Sequence, residues 1–252
     1  MTREQPVSAK FKIAAMACAF ITLAACAQKK QLVPSQAEME SAGLQALHGQ
    51  QATAMQALTV WAHKGHPVAQ RELAFAYAAT ASTHSEALHW LEQAASAGDS
   101  EAQFQLAETY YKSQLGVPQD YRRAWAWYED AGKHGNPKAS LMLARMAKYG
   151  EGRVKDVTQS AGWLIIAARQ GNAQAMFLLS NAYAAGEGLA ADQIQARQWL
   201  ERAADGDYPV AIQALAMELD GNTLHPEQDP TRARHLLKEA SDERLLRWNK
   251  YQ

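Results

Sequence analysis

Four tryptophans stand at nearly equal intervals: Trp90, Trp127, Trp163 and Trp199, separated by 37, 36 and 36 residues. The phrases around them repeat as well, as "WLEQAASAGDSEA", "WYEDAGKHGNPKA", "WLIIAARQGNAQA" and a looser "WLERAADGDYPVA". A period of this size marks a stacked array, in which each unit buries its apolar face only against its neighbours. The recurrence leaves two readings, a site used several times or a joint between repeated parts.

The register around the tryptophans favours the joint. Seven residues before each stands an N-cap type, Thr83, Asp120, Asp156 and Asp192, and the pattern extends to Asp229 with Leu236 in the tryptophan slot. Such side chains accept a hydrogen bond from the free N–H groups of a helix's first turn, and Pro230 suits the position that follows. Four residues after each tryptophan comes a small residue, Ala94, Ala131, Ala167 and Ala203, with Ala240 in the last copy. A large and a small side chain four apart share one helix face. Then come Gly98-Asp99, Gly135-Asn136 and Gly171-Asn172, where glycine stops one helix and Asp or Asn caps the next. Gly206-Asp207 is expected to make the same joint one residue early.

The helix after each joint has its own register. Ala102, Ala139, Ala175 and Ala211 are followed four residues later by Leu106, Leu143, Leu179 and Leu215, and Tyr77, Tyr110 and Tyr183 fill the next turn. "GEG" ends that helix twice, at Gly150 to Gly152 and Gly186 to Gly188. Alanine and leucine dominate the apolar residues and alternating β-branched runs are nearly absent, so nothing competes with helix. The predicted fold is all-α, an α-α superhelix of about six stacked helix pairs over residues 36–241, with a C-terminal capping tail at 242–252. Ser35 and Glu38 form a capping box that opens the array.

"AMFLLSNAYAAGEGLAADQIQARQWLERAA", Ala175 to Ala204, resembles the consensus of the Sel-one-like repeat family, a relative of tetratricopeptide repeats. The resemblance covers roughly residues 50–241, with degraded copies at both ends, as capping repeats usually are. Ala69 to Thr83 lacks the paired glycines, and the Trp127 copy carries one extra residue before Val117. The family implies a binding scaffold. Some members are reported as β-lactamases, but those are rich in cysteine, and this chain has two in all. It also has no Ser-x-x-Lys after residue 26 and no G-x-S-x-G, so no catalytic residues and no cofactor are expected.

The first 25 residues differ in kind. Arg3, Lys10 and Lys12 precede an apolar run from Ile13 to Ala25, too short to span a bilayer and suited to a secretory signal. "LAAC", Leu23 to Cys26, resembles the lipobox of bacterial lipoproteins, which implies lipidation of Cys26 and a palmitate-type anchor. Residues 26–35 would then be the acylated cysteine and a tether. "ACA" also fits ordinary signal cleavage after Ala27, and Cys18 sits in a poorer lipobox. Ala27 is not the aspartate that retains lipoproteins in the inner membrane, so the resemblance implies an outer-membrane anchor facing the periplasm. Removal of residues 1–25 leaves one cysteine and a net charge of −3, which excludes an internal disulfide and gives no basic footprint for nucleic acid.

Two groups of residues invite functional readings. Tyr111, Tyr121 and Trp125 lie close together off the expected packing positions, and an exposed aromatic cluster on a solenoid suits partner binding. The alternative is extra packing between adjacent helices, because Leu88 occupies the slot of Trp125. Eight histidines include "HKGH" at His63 to His66 and the pair His84 and His89, but no metal motif accompanies them and no metal is expected. The expected function is a lipid-anchored, non-enzymatic adaptor for protein partners at the bacterial envelope. Its alternatives are a cell-wall-acting enzyme and a secreted soluble repeat protein that binds host factors.

Overall fold

The structure, a computed structural model, describes residues 33–49 and 51–219, together with Thr231, His235 and Lys238. The chain divides into two units, Met1–Glu38 and Met39–Gln252. In the first, the described residues hold the predicted capping box. Ser35 N–H donates to Glu38 Oε2 at 2.7 Å, and Glu38 N–H donates to Ser35 Oγ at 3.3 Å. The signal segment, Cys26, the tether up to residue 32, Asp229 and the C-terminal tail lie outside the described residues.

Among the described residues every regular element is helical. The chain runs α1 (Gln36–Gly49), α2 (Ala52–His63), α3 (Pro67–Ala78), α4 (His84–Ser96), α5 (Ser100–Lys112) and α6 (Tyr121–Lys133). It continues α7 (Pro137–Tyr149), α8 (Val157–Arg169), α9 (Ala173–Ala185), α10 (Gln193–Asp205) and α11 (Pro209–Leu219), with a short 3-10 turn at Ala81–Thr83 before α4. Each consecutive pair of helices from α2 to α11 packs together, which is the contact pattern of an all-α repeat superhelix.

The joints form as the register requires. Gly98, Gly135 and Gly171 have φ of 88°, 86° and 91°, the left-handed region that ends a helix. The N–H of the next residue turns back onto the small residue four after the tryptophan: Asp99 to Ala94 at 3.1 Å, Asn136 to Ala131 at 2.9 Å, Asn172 to Ala167 at 3.0 Å. Each Asp or Asn then caps the following helix, accepting from the N–H of Ala102, of Lys138 and Ala139, and of Ala175. Asp120, Asp156 and Asp192 cap α6, α8 and α10 in the same way.

Two expectations are corrected. The fourth joint does not come early. Asp207, with φ 56°, takes the left-handed position in register, while Gly206 is the C-cap before it with a negative φ of −87°, as His134 is before Gly135. A Cβ on Gly206 would stand 3.0 Å from Ala173 Cβ, so close helix approach accounts for that glycine better than the turn does. Thr83, at the cap position of α4, makes no cap hydrogen bond. Its hydroxyl donates back to the carbonyl of Tyr77 at 2.6 Å and supports the 3-10 turn instead.

The seam between helices is made by the small residues. Ala94, Ala131, Ala167 and Ala203 are wholly buried, as are Ala102, Ala139, Ala175 and Ala211 in the facing helices. Indole rings are too large for that close approach and lie over its edge. Trp199 is 8% exposed, and Trp90, Trp127 and Trp163 are partly buried against the core. Trp90 and Trp163 each pack against two successive core clusters, which is what a joint between units must do.

Candidate functional site

Tyr111, Tyr121 and Trp125 come together as predicted, but they do not form an exposed surface. Trp125 is 1% exposed. Arg153, from the loop after α7, lies 4.6 Å over its ring, and its indole N–H donates to Glu129 Oε2 at 3.3 Å. Tyr111 and Tyr121 are partly buried with ring centroids 5.1 Å apart, and the Tyr111 hydroxyl donates to Glu151 at 2.9 Å. Burial, and then this carboxylate acceptor, push the Tyr111 phenol above its ordinary pKa. Tyr128 completes the group. It is wholly buried, its hydroxyl donates to the Glu108 carboxylate, and Lys112 pairs with the same carboxylate. The expectation of an exposed ring at Trp125 is therefore corrected: the aromatic residues fill the space where α5, α6 and α7 meet.

The same space recurs one repeat later with different contents. Counting from the caps, the positions of Trp125, Tyr121 and Tyr128 on α6 are held by Ala161, Val157 and Leu164 on α8. The positions of Phe104 and Tyr111 on α5 are held by Leu141 and Lys148 on α7. Five aromatic rings give way to an alanine, three aliphatic side chains and a lysine. What remains is a cavity of about 380 Å³ between α7, α8 and α9. In the following repeat Arg197 stands in the slot of Ala161, reaching Glu218 at 2.5 Å and Glu201 at 3.0 Å, and the cavity there is about 120 Å³. One slot in the repeat, occupied in turn by Trp125, Ala161 and Arg197, thus tracks whether the groove is closed or open.

The open groove has an apolar floor and a polar rim. Leu141, Ala144, Leu164 and Ala182 form the floor, with Leu178 at its edge and Tyr149 standing exposed beside it. On the rim, Lys148 and Glu187 neutralise each other at 2.9 Å. Arg145 lies 5.0 Å over the Tyr111 ring and forms no ion pair among the described residues. A concave apolar surface with a few convergent polar groups is the usual form of a binding site. The sequence reading missed it because an absent side chain leaves no conspicuous letter. Its signal was the alanine at a slot where neighbouring repeats carry Leu88, Trp125 and Arg197.

Among the described residues the histidines form no centre. His63 and His89 pack edge-on against Trp90, with ring centroids at 5.0 and 5.3 Å. Among the described residues no three His, Cys, Asp or Glu side chains are grouped as metal ligands, and no helix is long and apolar enough to cross a membrane.

Comparisons with known proteins agree with this architecture. The structure is similar to a Sel1 repeat protein from Oxalobacter formigenes, with a TM-score of 0.73 and 26% identity over 86% of this chain and 91% of that one. It is also similar in fold to a protective antigen of uropathogenic Escherichia coli displaying an SLR fold, with a TM-score of 0.70 and 23% identity over 82% of this chain. The matched part spans 46% of that antigen's length. A comparison with curated protein sequences gives no match. The family model for the Sel1 repeat matches five times, at residues 67–99, 100–136, 137–172, 173–208 and 209–244, and its boundaries fall at the joints described above. With well over half of its length matched in this way, the chain belongs to the Sel1 repeat family.

Proposed function

We propose that this protein is a lipid-anchored, non-enzymatic scaffold that holds a protein partner at the bacterial envelope, at the periplasmic face of the outer membrane. Sel1 repeats are typically protein–protein interaction scaffolds, which supports the coarse reading. The observation that carries it to a place on this chain is the open groove between α7, α8 and α9, floored by aliphatic side chains and rimmed by Arg145, Lys148 and Glu187. The lipobox at Leu23 to Cys26 supports the anchor. Acyl chains on Cys26 would confine the array to the membrane surface and raise its effective concentration for partners there.

Two measurements test the two halves. Cells fed a clickable fatty acid should label the wild type and Cys18→Ser but not Cys26→Ser; the reverse pattern would remove the anchor. A photocrosslinking residue at Tyr149, on the groove, should capture a defined envelope protein that the same residue at the exposed Asp130 does not. Equal capture from both positions, or from neither, would remove the groove as the interaction surface.

A further inference from the structure

We propose that the groove between α7, α8 and α9 is a pocket for one aromatic side chain of the partner, carried on a segment with an acidic residue beside the ring. The inference rests on the scaffold reading above and adds the chemistry of what binds. Its first support is internal. The structure shows what fills this space when the chain fills it itself. Between α5, α6 and α7 the occupants are aromatic: Phe104 against Tyr128 at 5.8 Å, Tyr111 against Tyr128 at 6.4 Å, and Tyr111 against Tyr121 at 5.1 Å. Trp125 completes that set, buried at the slot where the open groove has only Ala161.

The two grooves are built on one backbone register, so shape complementarity to a ring persists after the ring is removed. The space left, about 380 Å³, lies at the lower end of the range for small ligand pockets. Its floor is methyl and methylene, as at Leu141, Leu164 and Ala182, which recognises apolar area without directing a hydrogen bond. Aromatic anchors seated in such pockets dominate the energetics of protein interfaces.

The second support is charge. Lys148 is already neutralised by Glu187, whereas Arg145 projects from the same helix, exposed, with no carboxylate paired to it among the described residues. It occupies the position that Glu108 holds in the closed groove, where the carboxylate accepts the Tyr128 hydroxyl. The charge at this position has therefore changed sign between the two repeats. A planar guanidinium held over a ring is preorganised for a carboxylate, and it would reject a basic residue at the same place.

The test pans a phage-displayed random heptapeptide library against the full-length chain in detergent micelles. Two counter-targets close the pocket by copying the preceding repeat, Ala161→Trp and Leu164→Tyr. Both put back a residue type that the repeat already accommodates at that slot, and unchanged circular dichroism identifies the variants fit for use. The expected result is enrichment of Trp, Tyr or Phe next to Asp or Glu, with binding weakened at least about tenfold in a pocket-filling variant. Arg145→Glu should move the preference from acidic to basic residues beside the same ring. Enriched peptides without an aromatic residue, or with undiminished binding to both filled variants, overturn the pocket. So does a selection that enriches nothing. Concentration-dependent dimerisation abolished by Ala161→Trp would replace the proposed occupant with a second copy of this chain. The scaffold reading fails separately, through the crosslinks from position 149. If those crosslinks persist in Ala161→Trp cells, the scaffold stands and the aromatic pocket does not.

Discussion

Arg71 offers the sharpest test of how this stack is held at its N-terminal end. It stands five residues after the His66 cap, the slot filled by Phe104, Leu141 and Phe177 in later repeats. Its side chain is 10% exposed and reaches Glu72 at 2.8 Å, Asp99 at 2.9 Å and Glu40 at 3.0 Å, joining α1, α3 and the joint before α5. Replacing it with leucine restores the repeat's own apolar character but leaves Glu72 and Asp99, 12% and 7% exposed, without their cation. Removing one partner of a buried pair costs about 3–5 kcal/mol. Leucine burial offsets about 1–2 kcal/mol of this, since the arginine stem already covers apolar surface. The expected net loss for Arg71→Leu is therefore about 1–4 kcal/mol, read by urea titration of helicity, with hydrogen exchange assigning the loss to α1 and α3. Repeat arrays open unit by unit, so the local readout matters. In Arg71→Leu/Glu72→Met, where Met142 shows what the neighbouring slot accepts, about half the loss should return. A single variant within about 1 kcal/mol of wild type would refute the reasoning, because it would mean that the carboxylates find solvent at no cost.

Glu72 adds a pH dependence of known sign. Burial holds its carboxyl above the ordinary range despite the attraction of Arg71. A raised carboxyl pKa favours the folded state below the unfolded pKa, and that contribution is lost as pH rises through the folded value. Glu72→Gln should therefore gain on wild type between acid and neutral pH, and parallel stability profiles would contradict it. Asp156→Ala removes the acceptor for Gln159 N–H and should cost about 1 kcal/mol in thermal unfolding, while Asp156→Asn should cost much less. Gly188→Ala combines φ of 76° with a Cβ 2.1 Å from the Val157 carbonyl oxygen, so a loss above about 2 kcal/mol is expected. Gly162→Ala, with open space around its Cβ, should be neutral or stabilising. Trp199→Ala should cost about 3–5 kcal/mol and Trp127→Ala less, in keeping with their burial; the opposite ranking would show that the seam is not where the buried alanines place it.

The repeat, its helices and its joints were legible because each is decided within a few residues. A cap needs one oxygen near the first turn, a stop needs one left-handed residue, and a close seam needs alanine every fourth position. Even the misread joint at Asp207 keeps the spacing; only the residue that tolerates positive φ changed.

Exposure belongs to the tertiary structure. Nothing local distinguishes Trp125, sealed beneath Arg153 and Glu129, from a ring offered to a partner. Nothing local reveals that Ala161 leaves a groove open, or that Arg71 is sunk among three carboxylates. The physical reason is that propensity and capping act through a residue's own chain neighbours, whereas burial and charge pairing also draw on side chains 28 to 40 positions away that only stacking brings together. The letters alone determined what stacks; the stacking decided which surfaces were left to meet something else.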